Sequence, residues 1–162
     1  MQKVLLFTVT AAAATAATLT TAAAARHTSP ARTGASTKTV VISTRRLPKL
    51  GTVLVDGKGR TLYMFVPDKR RLVTCTGSCA SVWPPLRLAK GQKAVARGTA
   101  KTRLLASDRD PAGGTVITYN RWPLYTFAGD SAPGQAKGQA LNLNGGLWYV
   151  IAPSGKVIRT RA

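Results

Sequence analysis

The pattern of hydrophobic and polar positions changes at about residue 38. Residues 26–37 combine Ser, Thr, Pro, Gly and basic side chains without an apolar period, which is typical of a flexible basic linker. From Thr39 onward, short β-branched and aromatic runs alternate with Gly, Pro, Asn and Asp, as in strands joined by tight turns. No segment has a sustained helical period. The sequence therefore predicts a single small all-β domain over residues 38–158, with little helix.

Three hairpins are predicted, each from two apolar runs around a turn: 52–55 with 61–65, 115–119 with 124–127, and 148–151 with 156–158. In the first turn, Asp56-Gly57 favours the positive φ of a primed turn. In the second, Arg121 stands where Gly would be expected after Asn, which leaves the turn geometry open. We also expect an edge strand at 39–42 and a short helical turn at 78–83, ended by Pro84-Pro85.

A short motif, Tyr-x-Phe-x-x-Asp, occurs twice. Its residues are Tyr63, Phe65 and Asp68 in the first copy and Tyr125, Phe127 and Asp130 in the second. When residues 51–68 are laid over 114–130, the two copies align with a one-residue difference in the turn, and a Trp follows each copy. The sequence thus predicts two pseudo-symmetric, hairpin-based repeats, about 51–86 and 114–151, of which neither need be stable alone.

The repeated motif resembles that of a known family. The matching segments are GTVLVDGKGRTLYMFVPD, CTGSCASVWPPL, VITYNRWPLYTFAGD and GGLWYV. In this combination the chain is similar to the predicted lipoproteins or secreted proteins with a repeated Y-x4-D motif, whose activity is uncharacterised. The resemblance implies an exported envelope protein. The lipid-attachment cysteine common in that family is absent here, so no lipid anchor is expected.

The motif residues allow both structural and functional interpretations. Tyr63 and Phe65 lie two residues apart, so in a strand they point to the same face, and either build the core or form a platform for a ring-shaped ligand. Asp68 can accept backbone N–H groups of the turn that follows it. Asp68 and Asp130 could also act as a catalytic pair if they faced one pocket, but no His or Glu accompanies them in the folded part. We therefore expect no catalytic residue.

Cys75 and Cys79 are the two cysteines of the chain. In an exported protein their simplest role is a disulfide that closes one short loop. A thiol-exchange site is an alternative, because nearby basic residues could lower a thiolate pKa. A metal site is a third, although no further ligands are evident nearby. Hence we expect no metal and no cofactor.

The composition is strongly basic: the chain has 24 Lys and Arg and 5 Asp, for a formal net charge of +19. Such a balance favours polyanionic partners, such as acidic envelope polymers or lipid headgroups. The bases are dispersed and no recognisable nucleic-acid-binding module accompanies them, so no specific nucleic acid is expected.

The first 25 residues resemble a secretory signal, with Lys3 followed by an apolar stretch and an Ala/Thr run ending at Ala25. An uncleaved anchor is the alternative, because the uncharged stretch is long enough to cross a bilayer. The sequence predicts a secreted or envelope-associated, non-catalytic protein that binds anionic surface polymers. A redox or metal-handling envelope protein that uses Cys75 and Cys79 is the alternative.

Overall fold

The structure, a computed structural model, describes residues 39–68 and 72–161. The predicted signal segment, the predicted linker and the basic residues 69–71 lie outside this part of the chain. Among the described residues, no helix is both long and apolar enough to cross a membrane.

Ten strands make up most of the regular secondary structure of the described residues. They are β1 (Thr39–Leu47), β2 (Gly51–Asp56), β3 (Tyr63–Phe65), β4 (Arg87–Leu88), β5 (Lys93–Ala96), β6 (Leu105–Arg109), β7 (Thr115–Tyr119), β8 (Trp122–Pro123), β9 (Asn142–Leu143) and β10 (Gly146–Val150). Within residues 39–68 and 72–161, helical structure is limited to α1 (Ser78–Val82) and two single 3-10 turns, Val66–Asp68 and Thr102–Leu104. The prediction of an all-β domain with little helix is confirmed, as is the short helical turn before Pro84-Pro85.

The strands form three small sheets. The orders are β2-β1-β5, β3-β10-β9 and β4-β7-β6, with β8 also paired to β7. All pairs are antiparallel except β1 with β5. The prediction of an edge strand at 39–42 is wrong, because β1 is longer and lies between two partners. Its apolar pattern gave no sign of the parallel partner, which comes some fifty residues later.

The first predicted hairpin forms only in part. β2 pairs along its whole length with β1. The returning chain meets β2 at the Val55–Thr61 bridge, where the Leu62 N–H donates to the Leu54 carbonyl and the Asp56 N–H to the Arg60 carbonyl. β3 then leaves to pair with β10. The positive φ in this turn is at Gly59 (78°) rather than at Gly57. The Asp56 carboxylate accepts the N–H groups of Lys58 and Arg60, which allows a different turn.

The third hairpin forms as the sequence predicts, whereas the second differs in its second strand. That strand is Trp122–Pro123 instead of 124–127, and Tyr125 pairs with Tyr63 and Pro85. β7 pairs with β8 across a two-residue turn in which both Asn120 (φ 49°) and Arg121 (φ 71°) have positive φ, as a type I′ turn requires. Arg121 thus adopts a left-handed backbone conformation, which glycine adopts more readily than other residues. In the third hairpin, Ile151 pairs with Val157.

The central strands are buried on both faces and separate two hydrophobic clusters. Along β3, Tyr63 and Phe65 point into the first cluster and Met64 into the second. The same alternation places Trp148 in the first cluster and Tyr149 in the second. Because successive side chains of a strand point to opposite faces, one short strand supplies both clusters. The motif therefore lies at the centre of the molecule.

The two repeats meet at their motif tyrosines. Tyr63 and Tyr125 lie opposite each other in an antiparallel bridge, and each backbone N–H donates to the other's carbonyl, at 2.9 and 3.0 Å. An antiparallel pair of this kind has a local two-fold axis between its members. The duplication read from the sequence thus corresponds to a pseudo-two-fold arrangement.

Candidate functional site

The motif side chains are joined in crossed pairs, in which each tyrosine bonds to the aspartate of the other copy. The Tyr63 hydroxyl donates to Asp130 Oδ2 and the Tyr125 hydroxyl donates to Asp68 Oδ2, both at 2.7 Å. We call Tyr63–Asp130 and Tyr125–Asp68 the crossed Tyr–Asp pairs. The crossing follows from the backbone bridge, because it places each tyrosine ring beside the chain that follows the other motif.

The second oxygen of each aspartate holds the loop after its own motif. Asp68 Oδ1 accepts the backbone N–H and the hydroxyl of Thr74, both at 2.8 Å. Asp130 Oδ1 accepts the backbone N–H of Lys137 at 2.9 Å. A carboxylate this buried needs such donors, because an unpaired charge away from water is costly. Each aspartate therefore joins a loop of its own repeat to a tyrosine of the other.

Burial shifts the protonation of all four groups in the same direction. Loss of solvation raises the pKa of the Asp68 and Asp130 carboxyls, and the hydrogen bonds each of them accepts partly offset that rise. Burial also raises the pKa of the Tyr63 and Tyr125 hydroxyls far above the ordinary range, and the neighbouring carboxylates raise it further. Both tyrosines consequently act as neutral hydrogen-bond donors.

Beside the crossed Tyr–Asp pairs, four aromatic rings form a continuous face-to-face series. The ring centroids of Trp83 and Trp148 lie 3.9 Å apart, with an interplanar angle of 1°. Phe127 stacks on Trp83 with a centroid distance of 4.2 Å, and Phe65 stacks on Trp148 with a centroid distance of 4.1 Å. We call this the aromatic stack. Each half contributes one Trp and one motif Phe, so the stack repeats the pseudo-symmetry. Aromatic contacts of this kind add about 0.5–1.5 kcal/mol each beyond the area they bury.

The stack departs from symmetry at one polar atom. The indole N–H of Trp148 donates to the Leu143 carbonyl at 3.0 Å, whereas that of Trp83 has no hydrogen-bond partner within the described residues. The repeats also differ beside the rings. Gly138 lies in the loop after the second motif, and a Cβ there would be 2.6 Å from the Trp83 ring, so only glycine fits at this position.

The two cysteines form a disulfide, Cys75–Cys79. Cys75 follows Thr74, the residue held by Asp68, and is fully buried in the first hydrophobic cluster. Cys79 lies in α1 and is half-buried. The bond thus ties the loop after the first motif to the helix that precedes Trp83. Among the described residues, no group of three or more His, Cys, Asp and Glu could hold a metal ion.

This geometry places the motif residues together in the interior. Tyr63, Tyr125 and Asp68 are completely buried, Phe65 and Asp130 nearly so, and Phe127 is half-buried. Both carboxylates are fully engaged by donors of the chain itself, so the arrangement stabilises the contact between repeats. A platform for a ring-shaped ligand would require exposed faces, which the stacked rings do not offer.

Two residues that fasten chain segments near the motif, Thr74 and Gln139, were not predicted from the sequence. Thr74 gave no signal beyond its position six residues after Asp68. Gln139 is buried, and its amide accepts the Val150 N–H at 2.8 Å and donates to the Ile158 carbonyl at 2.8 Å, which fastens the last hairpin. A single Gln in a Gly-rich loop carries no pattern from which this role could be read.

Comparison with known proteins bears out the resemblance read from the motif. A family model described as a secreted repeat of unknown function matches residues 45–87 and 107–152, which together are more than half of the chain. Each match contains one motif copy. No curated protein and no solved structure matches the chain.

Proposed function

Because the chain belongs to this family of secreted repeats of unknown function and is therefore extracytoplasmic, we propose that it is a non-catalytic protein that binds an anionic polymer of the cell envelope. The interior residues support the first half of this proposal. The crossed Tyr–Asp pairs are the strongest candidates for chemistry, and they are buried and fully bonded.

The distribution of charge supports the second half. Of the 17 Lys and Arg residues in the described part of the chain, 16 are exposed, and Arg60 is half-buried. No Asp of this part is exposed: four are buried and Asp108 is half-buried. Every fully exposed charged side chain of the described residues is consequently a cation. This is the observation that carries the proposal, since such a surface attracts polyanions and repels other cations.

Ion pairing leaves most of these cations available. Within the described residues, ion pairs join Arg60 to Asp56 and Arg87 to Asp110. Both arginines pair with a buried carboxylate and so belong to the fold. The other exposed bases are spread over several strands and loops, which suits a flexible, repeating anion better than a compact one.

Salt dependence of binding tests the proposal. We expect the full exported chain to bind inorganic polyphosphate, used as a polyanion of defined charge, and to lose about thirtyfold in affinity between 50 and 200 mM NaCl if three cations are engaged. Dextran, a neutral polymer, is the control and should not bind. Affinity that stays constant across this range would overturn the proposal, as would equal binding of dextran. Tighter binding to duplex DNA than to polyphosphate at equal salt would instead identify a nucleic-acid partner and also overturn it.

A further inference from the structure

We propose that a groove on β1 binds one oxyanion unit, a phosphate or carboxylate group, of that anionic polymer; this inference rests on the proposed function and assigns it a place. The groove has a volume of about 530 Å³ and lies between β1, the turn after β2 and the chain after β5. Its lining includes two arginines, Arg45 and Arg97, and two hydroxyls, Ser43 and Thr44.

The groove exists because one end of the β1–β2 pair is left uncovered. Val41, Ser43 and Arg45 share a face of β1, and across from them β2 ends and gives way to Gly57. A Cβ on Gly57 would lie 3.5 Å from the Val41 Cβ, so a larger side chain would fill this floor. Further along the same face, Leu47 lies in the first hydrophobic cluster, where the groove ends.

The Arg45 side chain packs against two glycines. Its Nη2 lies against Gly59, where an added Cβ would be 3.1 Å away, and its Cδ lies against Gly134, where an added Cβ would be 3.5 Å away. Among the described residues, Arg45 makes no ion pair. The guanidinium thus packs on one side and is exposed to solvent on the other.

Arg97 and Thr44 also line the groove. The Arg97 backbone N–H donates to the Ile42 carbonyl at 2.8 Å, which fixes where its side chain begins. Thr44 Oγ1 accepts the N–H and the hydroxyl of Thr99, at 3.3 and 3.2 Å, so its own proton remains to donate. Arg97 likewise has no ion pair within the described residues. These two residues therefore add a guanidinium and a hydroxyl as hydrogen-bond donors.

One carboxylate, Asp56, also lines the groove, and its charge is already neutralised. Asp56 Oδ2 pairs with the Arg60 Nη2 and Nε, both at 2.7 Å, and Oδ1 accepts two backbone N–H groups at 2.9 Å. Only 5% of Asp56 is exposed. The charge that a ligand meets is therefore that of Arg45 and Arg97.

These features fit a planar or tetrahedral oxyanion. A guanidinium donates two parallel hydrogen bonds to a phosphate or carboxylate, with a geometry that a lysine cannot reproduce. The volume is within the range of about 300–1,000 Å³ that holds a small ligand, which corresponds to one or two repeating units of a charged polymer. Because the groove is open, the polymer can continue beyond it over the surrounding bases.

The test compares two variants that lose the same charge. Arg45→Gln/Arg97→Gln removes the groove cations, and Arg46→Gln/Arg103→Gln removes two exposed cations outside it, one of them the neighbour of Arg45 on the other face of β1. At fixed salt, we expect the groove variant to lose about tenfold in affinity for polyphosphate and the control variant about threefold or less. Polygalacturonate, a carboxylate polymer, measured in parallel shows which oxyanion is preferred.

Equal losses in the two variants would overturn the groove and leave the proposed function standing, whereas a wild type without salt-dependent binding would overturn both. Thermal melts check that the variants fold. Arg45→Lys/Arg97→Lys keeps the charge and should recover the salt slope but not the full affinity. As an independent readout, tripolyphosphate should shift the backbone amide signals of Ser43, Thr44 and Gly57, and an absence of shifts there would contradict the site.

Discussion

At the scale of single residues, each motif aspartate divides its two oxygens between a loop and the opposite repeat. Asp130 takes the Lys137 N–H on one oxygen and the Tyr63 hydroxyl on the other. A turn-capping role for these aspartates could be argued from the sequence, since Asp commonly accepts nearby N–H groups. The bond to the tyrosine could not, because Tyr63 and Asp130 are 67 residues apart and nothing in the motif says which aspartate each tyrosine meets.

Removing one motif hydroxyl tests the crossing. Tyr63→Phe leaves Asp130 Oδ2 buried without its donor and should lower the free energy of unfolding by about 2 kcal/mol, measured by urea denaturation. Tyr149→Phe is the matched control, because its hydroxyl makes no hydrogen bond within the described residues. In a double-mutant cycle, Tyr63→Phe should couple to Asp130→Asn and not to Asp68→Asn. Coupling within one motif copy would contradict the crossed pairs.

The raised carboxyl pKa predicts an unusual pH dependence. Because burial raises the pKa of Asp68, the folded state holds this proton more tightly than the unfolded chain does. Its stabilising contribution is complete below the unfolded pKa, about 3.9, and is lost as pH rises through the folded pKa. Asp68→Asn cannot titrate, so its stability relative to wild type should rise with pH from about 4 upward, by up to about 1.4 kcal/mol per pH unit.

Denaturation of both proteins from pH 3 to 8 measures this difference. Asp130→Asn should behave in the same direction, since burial raises the pKa of Asp130 as well. If the free energy of unfolding of Asp68→Asn instead fell relative to that of wild type as pH rises, the hydrogen bonds to Asp68 would outweigh its desolvation. That result would contradict the prediction.

At the scale of elements, local patterns predicted turns better than partners. A turn after β7 was predicted from Asn120, and it has the type I′ form although Arg121 replaces the expected glycine, but the strand that follows it is Trp122–Pro123 and not the predicted 124–127. The pairing of β3 depends on β10, more than eighty residues away, and could not be read from the run that follows Asp56. The same holds for β1, whose partner β5 comes from a stretch with weak alternation.

The disulfide is a local element whose role can be measured. Its loop spans five residues, for which the chain-entropy estimate gives about 2 kcal/mol of stabilisation. Cys75→Ser/Cys79→Ser should therefore lower the free energy of unfolding by about that amount and leave polyphosphate binding unchanged. In the native protein, dithiothreitol should reduce the bond far more slowly than in urea, because Cys75 is buried. Fast reduction in the native state, with altered binding, would favour the thiol-exchange interpretation instead.

At the scale of the whole molecule, the sequence predicted the amount of charge but not its placement. The net charge of +19, from 24 bases and 5 acids, is a property of composition. That no carboxylate of the described part is exposed depends largely on the fold, since Asp68 and Asp130 bind tyrosines of the other repeat and Asp110 binds Arg87. Asp56 is held within its own turn. The acids are used to build the interior and its turns, so the surface keeps nearly all of the positive charge. The groove at Arg45 likewise could not be predicted from the sequence, because its lining comes from three separate segments.

The crossed Tyr–Asp pairs also bear on how such a chain could have arisen. A polypeptide with one motif copy would present a tyrosine without its acceptor and an aspartate without its donor. Two such polypeptides could satisfy each other across a two-fold axis, in the same arrangement that Tyr63 and Tyr125 form here. Fusion of tandem gene copies would then have placed both halves of such a pair in one chain, after which the halves could diverge. The disulfide in one half and the glycine in the other are divergence of that kind.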